Sequence, residues 1–135
     1  MLKKVIIVED DVFLQDFYRI FFKRFGAEVL IMEDVDEILH ELHSGNVDLI
    51  ILDINLRNMM LFSKRIDGIM LSQHIKKNYA HLKVPILLVT AYPLNGFGDP
   101  LLEKSMADDY LLKPIADYNK LVEKINKLVF GQNER

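Results

Sequence analysis

The segment KKVIIVEDD (residues 3–11) places four apolar residues directly before three carboxylates. The apolar run shows no alternation with polar side chains, which is typical of a strand buried on both faces of a parallel sheet. Three adjacent like charges repel one another, so their position after the strand predicts a cation that they share. We therefore interpret this segment as the first strand of an α/β fold that ends at a cation site.

Four further apolar runs follow, and segments with helical spacing separate them. The runs are EVLIM (28–32), VDLIILD (47–53), VPILLVT (84–90) and DYLLK (109–113). Helix starts are indicated at Asp99-Pro100 and near Asp117. We expect the phenylalanines of the first helix, Phe13 included, to lie mainly in the core, although one more aromatic than a helix face needs hints at a partner surface. The alternation predicts a doubly wound, flavodoxin-like fold whose five-stranded parallel sheet has the order 2-1-3-4-5 and helices on both faces.

Length and composition limit the function classes. A chain of 135 residues fits one domain, 1–135, and the stretch after Lys113 has room for one helix, so we expect no output domain. The net charge of −3 gives no reason to expect direct nucleic-acid binding. The first residues form neither a signal peptide nor a membrane span, and the chain has no cysteine. We expect a cytoplasmic protein without membrane insertion.

Polar residues follow four of the predicted strands. Since the carboxyl ends of parallel strands meet at one edge, we expect Glu9, Asp10, Asp53, Thr90 and Lys113 to lie together. Carboxylates without histidine or cysteine suit Mg²⁺. Asp53, at the centre, is the natural nucleophile for a phosphoryl group, which Lys113 and the Thr90 hydroxyl would help to bind.

Four blocks of the sequence, VIIVEDD, LIILDIN, PILLVTAY and ADDYLLKP, resemble the signature blocks of the response-regulator receiver domain of two-component and phosphorelay signalling. The resemblance covers nearly the whole chain. It implies that Asp53 accepts a phosphoryl group from a histidine kinase or a histidine phosphotransfer protein. It further implies that Asp10 and Asp53 bind Mg²⁺ directly, that Glu9 acts through water, and that the backbone carbonyl of Asn55 completes the protein ligands.

The resemblance also implies a switch. Thr90 and Tyr110 match the switch pair of the family, which would change a surface formed by the fourth helix, the fifth strand and the fifth helix. Lys113 is followed by Pro114, whose peptide bond is typically cis in the family. The expected protein is a stand-alone receiver that docks an unidentified downstream protein. It is not an enzyme, except that it catalyses its own phosphorylation and dephosphorylation.

Two departures from the family pattern are visible. Receivers usually carry a proline four residues after the acceptor and a glycine eight residues after it, but Arg57 and Leu61 occupy these positions. The expected glycine comes at Gly68, so about seven residues are inserted, and we predict a long loop or an extended helix start over 57–66. Met106 stands where a glycine usually precedes ADDY, and a β-carbon disfavours a left-handed turn there.

Three alternative functions remain open. A magnesium-dependent hydrolase of the haloacid-dehalogenase type also uses an aspartate nucleophile, but normally on the first strand and with a second aspartate two residues later, where this chain has Asn55. A flavodoxin-like cofactor binder needs a phosphate loop after the first strand, and none is present. A degenerate receiver that acts only as a scaffold would not need the complete set of acids, threonine and lysine.

Overall fold

The computed structural model describes residues 2–96 and 98–131; the last residues of the predicted domain, 132–135, lie outside the described residues. The elements in chain order are β1 (Lys4–Val8), α1 (Val12–Lys23), β2 (Glu28–Ile31), α2 (Val35–Ser44), β3 (Leu49–Leu52), β4 (Met60–Leu61), β5 (Lys64–Arg65), α3 (Gly68–Asn78), a 3-10 turn (Ala80–Leu82), β6 (Ile86–Thr90), α4 (Pro100–Ser105), β7 (Asp109–Leu112) and α5 (Tyr118–Val129).

The main sheet is parallel, and within the described residues it has five strands in the order β2-β1-β3-β6-β7. These are the five predicted strands, so the predicted order 2-1-3-4-5 is confirmed. Strand β3 lies between β1 and β6 and is the middle strand of the five. The residue after β3 is Asp53. The topology therefore places this aspartate at the middle of one edge.

Helices cover both faces of the sheet, which explains the continuous apolar runs. Val5 and Ile7 point to the face where side chains of α1 and α5 form a core with them. Ile6 and Val8 point to the opposite face and pack with α2, α3 and α4. Because successive side chains of a strand alternate between faces, both halves of each run must be apolar.

An aspartate caps the start of each helix in the part of the chain that the structure describes. The caps of α1 to α5 are Asp11, Asp34, Asp67, Asp99 and Asp117, and each side chain accepts hydrogen bonds from amides of the first turn. These bonds satisfy donors that otherwise have no partner inside the helix. The third carboxylate of the opening segment, Asp11, is therefore occupied as the cap of α1.

The prediction of a long loop or an extended helix start over 57–66 is wrong, because this segment forms a β-hairpin. Strands β4 and β5 pair antiparallel, and Phe62 and Ser63 make a two-residue turn with φ of 51° and 64°. At the base, Met59 and Ile66 are buried, and the Ile66 amide donates to the Met59 carbonyl at 3.0 Å. Burial of Met59 and Ile66 thus anchors the base of the hairpin, and α3 begins only at Gly68.

Met106 adopts the left-handed conformation that its β-carbon disfavours. It ends α4 with φ of 59°, and its amide donates to the Glu103 carbonyl at 3.1 Å. Next to it, the buried Ser72 hydroxyl of α3 donates to the Ser105 carbonyl at 2.8 Å. Packing of α4 on α3 therefore holds the turn before β7 without the glycine that is usual in the family.

Candidate functional site

The carboxyl ends of β1 and β3 bring two carboxylates together. Val8 is paired with Leu52 in the parallel ladder, so the residues that follow, Glu9 and Asp53, lie side by side. The Asp53 amide donates to the Val8 carbonyl at 3.1 Å. Glu9 is only 2% exposed and Asp53 only 6%. Two carboxylates this deeply buried require a nearby positive charge.

Lys113, the residue after β7, supplies that charge. Its ammonium nitrogen lies 2.7 Å from Glu9 Oε1 and 2.8 Å from Asp53 Oδ2. Its backbone amide donates to the Thr90 carbonyl at 2.8 Å, which fixes where the side chain leaves the sheet. The peptide bond between Lys113 and Pro114 is cis, as the resemblance implies. The predicted meeting of Glu9, Asp53 and Lys113 at one edge is therefore present.

The pKa values of this group reflect a balance between burial and ion pairing. Burial raises the pKa of Glu9, and the hydrogen bonds from Lys113 and the Asp11 amide only partly offset this effect. Burial lowers the pKa of Lys113, but the hydrogen bonds to Asp53 and Glu9 outweigh it, so the pKa of this lysine is raised overall. Lys113 is therefore a stable ammonium at neutral pH.

Asp10 completes a carboxylate cluster that fits a magnesium ion. One oxygen from each of Glu9, Asp10 and Asp53 lies within 4.8 Å of the others. Asp10 lines a cleft of about 820 Å³ that also reaches Asn55 and Asp53. An all-oxygen donor set that is open on one side suits Mg²⁺, which retains several waters. The Asn55 amide donates to Asp53 Oδ1 at 3.3 Å, while a ligand role for the Asn55 carbonyl stays a prediction.

Thr90 and Tyr110 lie beyond the lining of this cleft. Thr90 is fully buried at the end of β6, and its hydroxyl oxygen accepts a hydrogen bond from the Tyr92 amide at 3.1 Å. Tyr110 is half-buried, and its hydroxyl faces the loop after β6. A β-carbon built on Gly96 of that loop would lie 3.6 Å from the Tyr110 hydroxyl oxygen. The Lys124 ammonium is 5.5 Å from the centre of the Tyr110 ring. A coupled movement of the two side chains stays a prediction.

Comparison with known proteins decides the family. Residues 5–126 match the response regulator receiver domain. The chain belongs to this family. The receiver is 30% identical to the CAI-1 autoinducer sensor kinase/phosphatase CqsS of Vibrio cholerae, covering 91% of this chain and 17% of that protein. It is 29% identical to the alkaline phosphatase synthesis transcriptional regulatory protein PhoP of Bacillus subtilis, over 86% of this chain and 44% of that protein. The receiver thus spans less than half of these relatives.

Solved structures share the fold. A CheY-like receiver domain protein from Methanospirillum hungatei superposes with a TM-score of 0.76 at 24% identity, over 99% of this chain and 98% of that chain. TrrA of Thermotoga maritima, in a complex with histidine kinase ThkA, gives 0.73 at 28% identity over 95% and 99% of the two chains. The receiver domain of sensor histidine kinase PA1611 from Pseudomonas aeruginosa, with magnesium in its active site cleft, gives 0.73 at 22% identity over 96% and 98%.

Gly68 supports the site, and the structure explains why the glycine expected from the family pattern is kept here, after the insertion. A β-carbon on Gly68 would lie 1.9 Å from the Asp53 carbonyl oxygen, which is closer than any side chain can approach. The Gly68 amide donates to the Ile54 carbonyl at 2.8 Å. The start of α3 thus packs directly on the backbone of the receiver's central aspartate. The signal in the sequence was the Asp-Gly pair, displaced by the insertion.

An apolar groove lies beside the acid cluster. It has a volume of about 470 Å³ and is lined chiefly by Phe13, Leu14, Phe17, Ile115 and Tyr118. Phe13 is 87% exposed, so the prediction that it lies mainly in the core is wrong. A helix has only one buried face, and Tyr18 and Phe22 occupy that face of α1.

Among the described residues, every helix of the receiver is too short or too polar to cross a membrane.

Proposed function

We propose that this receiver accepts a phosphoryl group on Asp53 from a phosphohistidine protein, in the presence of Mg²⁺. The observation that carries the proposal is the Lys113 ammonium, which bonds both Asp53 and Glu9 beside Asp10. A buried nucleophilic carboxylate next to a fixed cation, at the wall of an open cleft, is suited to attack on a dianionic phosphoryl group.

The transfer step follows from this arrangement. A carboxylate oxygen of Asp53 attacks the phosphorus atom, an O–P bond forms, and the P–N bond to the donor imidazole breaks. The imidazole leaves with the bond electrons and takes a proton from water. Lys113 already bonds Asp53 Oδ2 at 2.8 Å, so its ammonium is in place to bond a phosphoryl oxygen. The buried Thr90 hydroxyl would donate a second hydrogen bond to the phosphoryl group.

Mg²⁺ would stabilise the negative charge that gathers on the phosphoryl oxygens. We assign Asp10 and Asp53 as its direct ligands, Glu9 as a ligand through water, and the Asn55 carbonyl as the remaining protein ligand. The different burial of Asp10 and Glu9 supports the distinction between these two acids. The Asp10 side chain is 29% exposed, whereas that of Glu9 is 3% exposed and bonded to Lys113.

The output of the receiver would be a change of surface. Thr90 would move toward the phosphoryl group, and Tyr110 would turn inward behind it. Tyr110 lies on β7, and its side chain is close to the loop after β6 and to Lys124 of α5. A downstream protein would then bind one state of the α4, β7 and α5 surface better than the other. The receiver catalyses only its own phosphorylation and dephosphorylation in this scheme.

The apolar groove supports a protein phosphodonor. Phe13 and Tyr118 are exposed at the groove, next to Lys113, and surfaces of this kind bind other proteins. The solved complex of TrrA with histidine kinase ThkA gives a precedent for a partner of this class. We propose a histidine kinase or a histidine phosphotransfer protein as the donor.

The test uses acetyl phosphate as a small phosphodonor. Incubation with Mg²⁺ should add one phosphoryl group to the wild-type protein, measured by intact mass, and chelation of the metal should prevent it. Asp53→Asn should remain unmodified while keeping its fold, which is checked by circular dichroism. An unmodified wild-type protein would favour the scaffold alternative. Turnover of acetyl phosphate without a stable adduct would favour the hydrolase.

A further inference from the structure

The β4–β5 hairpin is the part of the molecule that the receiver pattern does not explain. Its base is fixed, because Met59 and Ile66 are buried in the core and joined by a backbone hydrogen bond of 3.0 Å. Leu61 is half-buried and packs against the same core. The outer part is thus presented on a rigid base.

The turn carries a residue that is unsuited to it. Two-residue hairpin turns in which both residues have positive φ favour Asn-Gly or Asp-Gly, yet this turn is Phe62-Ser63. Phe62 is also 82% exposed. The position therefore combines backbone strain with an exposed aromatic ring, and asparagine would remove both. Strain of this kind at an exposed position points to a function.

The ring does not close over the cleft. It lies edge-on against His74 of α3, with 5.9 Å between the ring centres. Met70, one turn earlier on the same face of α3, is 42% exposed, and Met60 of β4 is 50% exposed. We call Phe62, Met70 and His74 the hairpin patch. Because the tip of the hairpin rests against α3, Phe62 does not project far enough to enter a bilayer. The hairpin patch is therefore better suited to contact with a protein surface.

The charges of the segment indicate the kind of partner. Residues 57–66 contain Arg57, Lys64 and Arg65 and no acid, in a chain of net charge −3. All three side chains are exposed. Arg57 also lines the cleft, and its Nε lies 4.0 Å from Asp10 Oδ2, so this basic surface reaches the site of transfer. A partner that docks here must be anionic where it approaches Asp53.

We propose that the hairpin patch and its basic residues dock the phosphodonor protein, whose dianionic phosphohistidine and acidic surroundings complement them. This inference rests on the proposed function. The hairpin would determine which donor protein is accepted, through an apolar contact at Phe62 and charge contacts at Lys64 and Arg65. Acetyl phosphate, which needs no docking surface, would not depend on them.

The experiment compares protein and small-molecule donors. The histidine kinases of the organism that encodes the receiver are each autophosphorylated with ATP, and its histidine phosphotransfer proteins are phosphorylated by these kinases. The protein that transfers fastest to the wild-type receiver is the probe. Phe62→Asn should lower kcat/KM for that transfer by about tenfold, as expected for loss of an interface aromatic. The double variant Lys64→Glu/Arg65→Glu should lower it by a similar factor and weaken its salt dependence. Both variants should accept phosphate from acetyl phosphate at the wild-type rate.

Two controls make the result specific. Lys83→Glu/Lys127→Glu makes the same change in net charge at exposed positions at the opposite edge of the sheet, and it should transfer normally. Phe62→Asn should melt at or above the wild-type temperature, because asparagine tolerates the left-handed turn. Equal transfer to wild type and hairpin variants, or no transfer from any of these kinases and phosphotransfer proteins, would overturn the inference. So would binding to phosphatidylserine vesicles that depends on Phe62 while transfer does not. Failure of acetyl phosphate labelling would instead overturn the proposed function.

Discussion

Replacing Gly68 with alanine should destabilise the receiver, although alanine is the better helix former. Gly68 is the first residue of α3, and helix propensity alone favours alanine there by up to about 1 kcal/mol. The added β-carbon would lie 1.9 Å from the Asp53 carbonyl oxygen and 2.8 Å from both the Asp53 carbonyl carbon and Ile54 Cα. Real contacts of this kind exceed 3.0 Å, so the two backbones must separate by about 1 Å.

The size of the effect follows from what has to move. Overpacking in a rigid interior typically costs about 1–3 kcal/mol, and buried backbone atoms directly after the central strand yield less than side chains do, so we expect about 3 kcal/mol. For a domain of this size that loss lowers the melting temperature by about 10 °C. Because Asp53 itself is displaced, the rate of phosphorylation by acetyl phosphate should fall more than the folded fraction does.

Thermal and urea unfolding measure the first effect, and intact mass during incubation with acetyl phosphate measures the second. Gly131→Ala is a matched control, because among residues 2–96 and 98–131 the added β-carbon would have only Lys127 Cγ within 4 Å, at 3.7 Å. If Gly68→Ala melted at the wild-type temperature or above and was phosphorylated normally, the close contact between α3 and Asp53 would be refuted.

Three further predictions concern the core, the metal and the switch. Tyr18→Phe should stabilise the receiver by about 1 kcal/mol in urea unfolding, because the buried Tyr18 hydroxyl has no hydrogen-bond partner among the described residues. Destabilisation would mean that this hydroxyl is bonded. Asp10→Asn should weaken Mg²⁺ binding in calorimetry more than Glu9→Gln does, and the reverse order would contradict direct ligation by Asp10. Beryllofluoride with Mg²⁺ should change amide exchange between residues 101 and 122, and unchanged exchange there would count against the Thr90 and Tyr110 switch.

The fold and the centre of the site could be predicted from the sequence because both depend on strand ends. A strand buried on both faces has to be apolar throughout, so the polar residue that follows it marks the end of the strand. Parallel strands then bring Glu9, Asp53 and Lys113 to one edge of the sheet, independent of the length and conformation of the loops. This is why the prediction did not need to specify the connections.

The hairpin, the exposure of Phe13 and the contact made by Gly68 could not be predicted, because each depends on local conformation that leaves no periodic pattern in the sequence. The hairpin has two-residue strands and a Phe-Ser turn in place of Asn-Gly, so no turn signal marks it. Phe13 follows the helical spacing of the core residues, but Asp11 caps α1 only two residues earlier, and Val12 and Phe13 at the start of the helix are exposed. The role of Gly68 depends on a contact with Asp53 across 15 positions of sequence, which spacing alone does not reveal.

The central claim is that Asp53 is the phosphoacceptor. Borohydride reduces an aspartyl phosphate to homoserine, so the receiver can be phosphorylated with acetyl phosphate and Mg²⁺, reduced, digested and sequenced by mass spectrometry. Homoserine at position 53, and its absence when the metal is chelated, is the predicted result. Homoserine at position 10, 5-hydroxynorvaline at position 9 (the reduction product of a glutamyl phosphate), or no reduced residue at any position would refute the assignment of Asp53.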